Sequence, residues 1–107
     1  MPWHDVVDEN ELLEGDWTKR SVGPHTIILV SIGGTIKAYN DRCPHQASSL
    51  GTGEFDAEND LIICPSHQWE FRASTGESLN PKGHDLVEYP TRIEGGRIQV
   101  SFDGSAE

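Results

Sequence analysis

Two glycine pairs, Gly33-Gly34 and Gly95-Gly96, interrupt runs of β-forming residues, and they constrain the fold of this chain more than any other feature of its sequence. Glycine supplies the positive φ that tight two-residue turns need. His25 to Ile32 followed by Thr35 to Tyr39 therefore reads as one β-hairpin, and Tyr89 to Glu94 followed by Arg97 to Phe102 as another, with Ile93, Ile98 and Val100 as its apolar positions. Between them Glu54-Phe55, Leu61 to Cys64, Glu70 to Ala73 and Glu77 to Leu79 are short runs of β character, separated by Asp-Ala-Glu-Asn-Asp and Ser-Thr-Gly turns. Only Asp8 to Gly15 carries the marks of a helix of one or two turns: Asp8 as cap, Glu11 three residues on, Leu12-Leu13 as apolar patch and Gly15 as stop. Many short strands with Gly and Pro turns predict an all-β chain, folded as a small sandwich or barrel.

The 107 residues suffice for one domain, 1–107, and leave little for a second core. Eighteen acidic against eight basic side chains give a net charge of −10, a field that repels nucleic-acid backbones and anionic lipid, so neither is an expected partner. The acidic residues are spread along the chain and read as a solvated surface that maintains solubility, with a docking surface for a basic partner as the alternative. The longest apolar run, Ile27 to Val30, is four residues, against the roughly 20 that span a bilayer, so no membrane helix is expected. The Met-Pro-Trp-His-Asp start lacks the basic and apolar blocks of a secretory signal, which predicts a cytoplasmic protein with reduced thiols.

Both cysteines lie in short loop-like segments that also hold a histidine, Cys43-Pro44-His45 and Cys64-Pro65-Ser66-His67. Two thiolates and two imidazoles make four soft-to-borderline ligands, enough for tetrahedral zinc or for an iron–sulfur core with two protein ligands on each iron. The equivalence of the two loops favours a binuclear cluster clasped from two sides, and a structural zinc in a non-redox binding module is the alternative of another class. A Cys-His nucleophile is disfavoured, because two equivalent pairs are redundant and no orienting acid is evident. His4, His25 and His84 share no such motif and read as surface residues.

Beyond the ligands, Cys43-Pro-His-Gln46, Gly53, Ile63-Cys64, His67, Trp69-x-Phe71, Thr75-Gly76, Asn80-Pro81, Leu86, Tyr89-Pro90 and Ile98-x-Val100-Ser101 follow a recognisable order. Over roughly residues 24 to 103 the chain resembles the Rieske-type ferredoxins, most of all the ferredoxin component of bacterial multicomponent toluene and alkene monooxygenases. The resemblance implies three small antiparallel sheets, with a cluster-binding subdomain of about residues 42–83 at one tip. It implies one [2Fe–2S] cluster, with Cys43 and Cys64 on one iron and His45 and His67 on the other. Two thiolates cancel the charge of the oxidised core, whereas four leave it doubly anionic, so an electron is easier to add here. Pro44, Gln46, Ala47, Pro65, Ser66, Gln68, Trp69, Phe71 and Pro81 are the expected cluster shell and docking rim, with Pro81 in a third, covering loop and the two histidines as electron exit.

The departures from the family pattern are as informative. Respiratory and photosynthetic Rieske proteins bear two further cysteines where this chain has Ser48 and Ser66, so their inter-loop disulfide is absent. Their serine and tyrosine hydroxyls that donate to cluster sulfurs are replaced by Trp69 and Phe71, which predicts a potential at the low end of the Rieske range of roughly −150 to +300 mV. The resemblance implies a monomeric one-electron shuttle with no catalytic residue of its own. Its expected donor is an NADH-dependent flavoprotein reductase, and its acceptor the di-iron hydroxylase of a monooxygenase acting on an aromatic or alkene hydrocarbon. The ferredoxin of an aromatic-ring-hydroxylating dioxygenase is the alternative.

Overall fold

The apolar run Ile27 to Val30 has no polar alternation, and the fold supplies the reason. The computed structural model describes residues 3–23, 25–42, 49–65, 69–80 and 85–101. Among these, eleven strands follow in order: β1 (Trp3–Asp8), β2 (Trp17–Val22), β3 (His25–Ile32), β4 (Thr35–Asn40), β5 (Glu54–Asp56), β6 (Leu61–Ile63), β7 (Glu70–Arg72), β8 (Ser78–Asn80), β9 (Glu88–Tyr89), β10 (Thr91–Glu94) and β11 (Arg97–Ser101). They form three antiparallel sheets, ordered β1-β11-β10, β2-β3-β4-β9 and β5-β6-β7-β8. The β2–β4 sheet is central. Ile28 and Val30 of β3 pack with Tyr39, Ile62, Cys64 and Phe71 in one apolar core. Ile27 and Leu29, on the other face, pack with Val7, Ala38, Ile98 and Val100 in a second. A strand covered on both faces selects apolar residues at every position, whereas one-sided burial selects alternation.

Both glycine-pair hairpins form as expected, Ile32 pairing with Thr35 and Glu94 with Arg97 across turns whose four glycines all have positive φ. The arm read as continuous from Tyr89 to Glu94 is divided. Tyr89 pairs with Ala38 in the central sheet, and Thr91 begins the pairing with β11 in another. Pro90, between them, has no N–H to continue a ladder, so the chain changes sheets there.

The N-terminal segment corrects the sequence reading. Instead of a helix over Asp8 to Gly15, the structure has β1, followed by a three-residue 3-10 turn, Glu9–Glu11. The Asp8 carboxylate makes no capping bond and lies 3.4 Å from the Arg97 guanidinium, while the Glu9 N–H donates to the Gly96 carbonyl and the Gly15 N–H to that of Ser31. So short a segment does not repay helix nucleation, and neighbouring strands supply its backbone partners. Strands β1 and β2 were not read from sequence, because their charged, half-exposed positions mask the alternation. Among the described residues no helix is long and apolar enough to cross a membrane.

Candidate metal centre

Each Cys-His segment is held at its base by described residues. Arg42 and Ser49 form an isolated antiparallel bridge, closing the chain on either side of residues 43–48. The second segment tips the β6–β7 hairpin: Ile63 pairs with Glu70, and the Cys64 N–H donates to the Trp69 carbonyl at 2.8 Å, closing the chain around 65–68. Asn80 pairs with Glu70 on the same hairpin, so β8 ends beside that tip. Cys43, Pro44, His45, Gln46, Ala47, Ser66, His67, Gln68 and Pro81 lie outside the described residues.

Of the expected site residues, Cys64, Pro65, Trp69 and Phe71 are described. Cys64 is 1% exposed and belongs to the first core. Pro65 is exposed. Phe71 is fully buried opposite Ile62, and Trp69 packs against the same core half-buried. Cys64 and Ile62 share a sheet face, which places Phe71 diagonally beside Cys64 across the hairpin. Both aromatics are thus core residues that pack in the same cluster as Cys64.

The two loop bases meet at Gly53. A Cβ there would stand 2.1 Å from the Ile63 carbonyl oxygen and 3.0 Å from the Pro65 Cδ. No other residue permits this approach, so the chain leaving the first loop is pressed against the strand entering the second. This juxtaposition brings together the bases of two segments some twenty residues apart in sequence. The donor chemistry, two thiols and two imidazoles in two segments whose described bases are apposed, fits a binuclear iron–sulfur core.

Sequence reading overlooked the residues that brace these loops. Asp41, 6% exposed, binds the far side of the first loop through its carboxylate, as described below. Tyr39 ties the central sheet to the β5–β8 sheet: its buried hydroxyl donates to the Ala73 carbonyl at 2.7 Å. Gly76, at φ +79°, leaves room for the Tyr39 ring, whose Cε1 would lie 2.8 Å from a Cβ. Gly76 was noted in sequence for its motif, but its contact with a tyrosine 37 residues away carries no local signal.

Burial, with the nearby carboxylates of Glu88 and Asp60, raises the Tyr39 phenol well above its ordinary value. The folded chain keeps it neutral where the unfolded chain ionises it, so its contribution to stability is complete below about pH 10 and falls as pH rises beyond that. Tyr39→Phe is expected to be less stable than the parent at neutral pH, yet to lose less stability above about pH 10. Urea midpoints of both proteins on either side of that pH check this, and parallel declines would contradict it.

Comparison with known proteins agrees with this architecture. The model of the Rieske [2Fe-2S] domain matches residues 2–90. The ferredoxin component of the alkene monooxygenase system of Xanthobacter autotrophicus is 35% identical over 99 residues, covering 92% of this chain and 80% of that protein. The ferredoxin component of the naphthalene 1,2-dioxygenase system of Pseudomonas aeruginosa is 32% identical, covering 94% and 95%. A chain in the complex of reduced oxygenase and oxidised ferredoxin of carbazole 1,9a-dioxygenase superposes with a TM-score of 0.80 at 26% identity, covering 92% of each chain. The family binds a sulfide-bridged iron pair, which replaces the zinc-module alternative. This chain belongs to the Rieske [2Fe-2S] domain family and is an electron-carrying ferredoxin with one Rieske-type cluster.

Proposed function

We infer that Cys43 and Cys64 hold one iron and His45 and His67 the other, and that this chain passes single electrons from an NADH-dependent flavoprotein reductase to the di-iron hydroxylase of an alkene or aromatic monooxygenase. The observation that carries the ligand set is the apposition of the two loop bases at Gly53. When bound, the cluster supplies a site that takes up and releases one electron with little rearrangement. The protein's part is to hold four ligands on braced loops, to bury Cys64 beneath Phe71 and Trp69, and to present the second loop beside an exposed Pro65. Residues 42–83 form the cluster-binding subdomain, and Pro44, Gln46, Ala47, Ser66, Gln68 and Pro81 complete its rim. A small, weakly binding rim suits a carrier that must leave its partner at each turnover.

The monooxygenase acceptor is favoured by the 35% identity with the alkene monooxygenase ferredoxin. Delivery to an aromatic-ring dioxygenase is the second reading, favoured by the naphthalene dioxygenase ferredoxin and the carbazole dioxygenase complex. Serines at 48 and 66, in place of disulfide cysteines, suit a cytoplasmic monomer in a reducing compartment. The test uses anaerobically purified protein: two irons and two acid-labile sulfides per chain, inequivalent irons by Mössbauer spectroscopy, and electron delivery from NADH and reductase to a di-iron hydroxylase faster than to a Rieske dioxygenase. Two equivalent irons would refute the ligand set, and the reverse order of acceptors would favour the second reading.

Phe71 and Trp69 set the potential by what they lack. A hydroxyl at position 71 enters a fully buried site and costs about 1–3 kcal/mol if it finds no acceptor. In a folded, cluster-bearing Phe71→Tyr protein, a cluster or cysteine sulfur is the acceptor the diagonal placement offers. Phe71→Tyr and Trp69→Ser are each expected to raise the reduction potential by stabilising the reduced, more negative state. Protein-film voltammetry reads the shift, and unchanged potentials in loaded variants would refute this account.

A further inference from the structure

The chain on both sides of the first ligand loop is gathered onto one buried carboxylate. Asp41 precedes Cys43 by two residues and is 6% exposed. Its Oδ1 accepts the Gly51 N–H at 2.8 Å, and its Oδ2 accepts the Ser49 hydroxyl at 2.6 Å. Its own carbonyl accepts the Leu50 N–H at 2.7 Å, and its N–H donates to the Thr26 carbonyl of β3 at 3.0 Å. From β2, the Lys19 ammonium lies 3.4 Å from Oδ2 and donates to the Ser49 hydroxyl at 2.8 Å. A Cβ at Gly51 would lie 2.8 Å from Lys19 Cδ and 3.0 Å from Asp41 Oδ1, so a side chain there would push against both partners of the clamp.

We propose that Asp41 is a positioning residue for the iron–sulfur centre: with Lys19 and Ser49 it clamps the two ends of the first ligand loop and so presets where Cys43 and His45 meet the cluster. This rests on the ligand set inferred above. The clamp joins residues 41, 49 and 51, so its geometry fixes the separation of the described ends of the first loop. Lys19 neutralises the carboxylate, which allows a charge to be buried there at all. A group that orients first-shell ligands affects metal retention and electronic structure without touching the metal.

The test compares parent, Asp41→Ala, Asp41→Asn, Ser49→Ala and Lys19→Met as holoproteins purified anaerobically. Asp41→Ala is expected to release iron to a chelator about tenfold to a hundredfold faster and to show a shifted or broadened EPR signal of the reduced cluster. Asp41→Asn keeps an oxygen acceptor for the Gly51 N–H and is expected to fall between the two. Ser49→Ala and Lys19→Met are expected to move both readouts in the same direction, less far. They also decide the matter if Asp41→Ala does not fold. Loss of stability alone would lower the urea midpoint and leave the EPR signal unchanged. Parental release rates and EPR signals in the folded variants would overturn the proposal. Equivalent irons in the parent would instead overturn the ligand set, whatever the variants do.

Discussion

Gly53→Ala is expected to purify largely without iron and acid-labile sulfide while keeping the far-UV circular dichroism of a β-protein. The added Cβ stands 2.1 Å from the Ile63 carbonyl oxygen, which is backbone and cannot rotate away, and 3.0 Å from Pro65. The chain leaving the first loop and the strand entering the second must part by about 1 Å to restore contact distance. Overpacking of this kind costs about 1–3 kcal/mol, which a chain of this size can survive. Metal–ligand distances tolerate only about 0.2 Å, so the centre fails where the fold does not. Iron and sulfide per chain decide it: parental stoichiometry with an unchanged visible spectrum would mean that the two bases do not need this contact.

His67→Cys, loaded with cluster, is expected to have a potential lower by on the order of 200 mV. Replacing a neutral imidazole by a thiolate adds one negative charge to the centre, and at an effective separation of about 4 Å, averaged over the two irons, this is worth about 4 kcal/mol at an intermediate dielectric. At about 2.3 kcal/mol per 100 mV this is roughly 170 mV. The gap between the low end of the Rieske range and the roughly −400 mV of plant-type clusters is of the same size. Voltammetry of the loaded variant gives the number, and a potential equal to the parent's would remove His67 from the ligand set.

The two variants probe different layers of legibility. The Cys-His pairs stood out because candidate ligands are written in residue types at short spacing: a thiol and an imidazole within four residues, twice, have few other uses. The glycine-pair hairpins were readable for a similar reason, since a two-residue turn is satisfied by its own residues. Gly53 was visible only as part of a motif, and its cause, the carbonyl of Ile63, lies ten residues on in another strand. Asp41 gave no signal at all, because an aspartate before a loop resembles any solvated turn residue until Lys19, Ser49 and Gly51 surround it. The helix expected at Asp8 to Gly15 failed for the converse reason: its local capping marks were real, but strand partners from Arg97 and Gly96 outcompeted them.

What the sequence determined by itself is therefore what neighbouring residues can settle among themselves: two hairpin turns, the β character of the runs around them, and the paired Cys-His spacing that points to the family. Only the tertiary structure decided that Ile27 to Val30 is covered on both faces, that Pro90 passes the chain from one sheet to another, and that Asp41 and Gly53 brace the ligand loops. Turn geometry and ligand type depend on residues a few positions apart, whose local energetics favour one answer before folding. Face coverage, sheet exchange and loop bracing depend on partners distant in the chain, whose approach is selected only when the whole core closes.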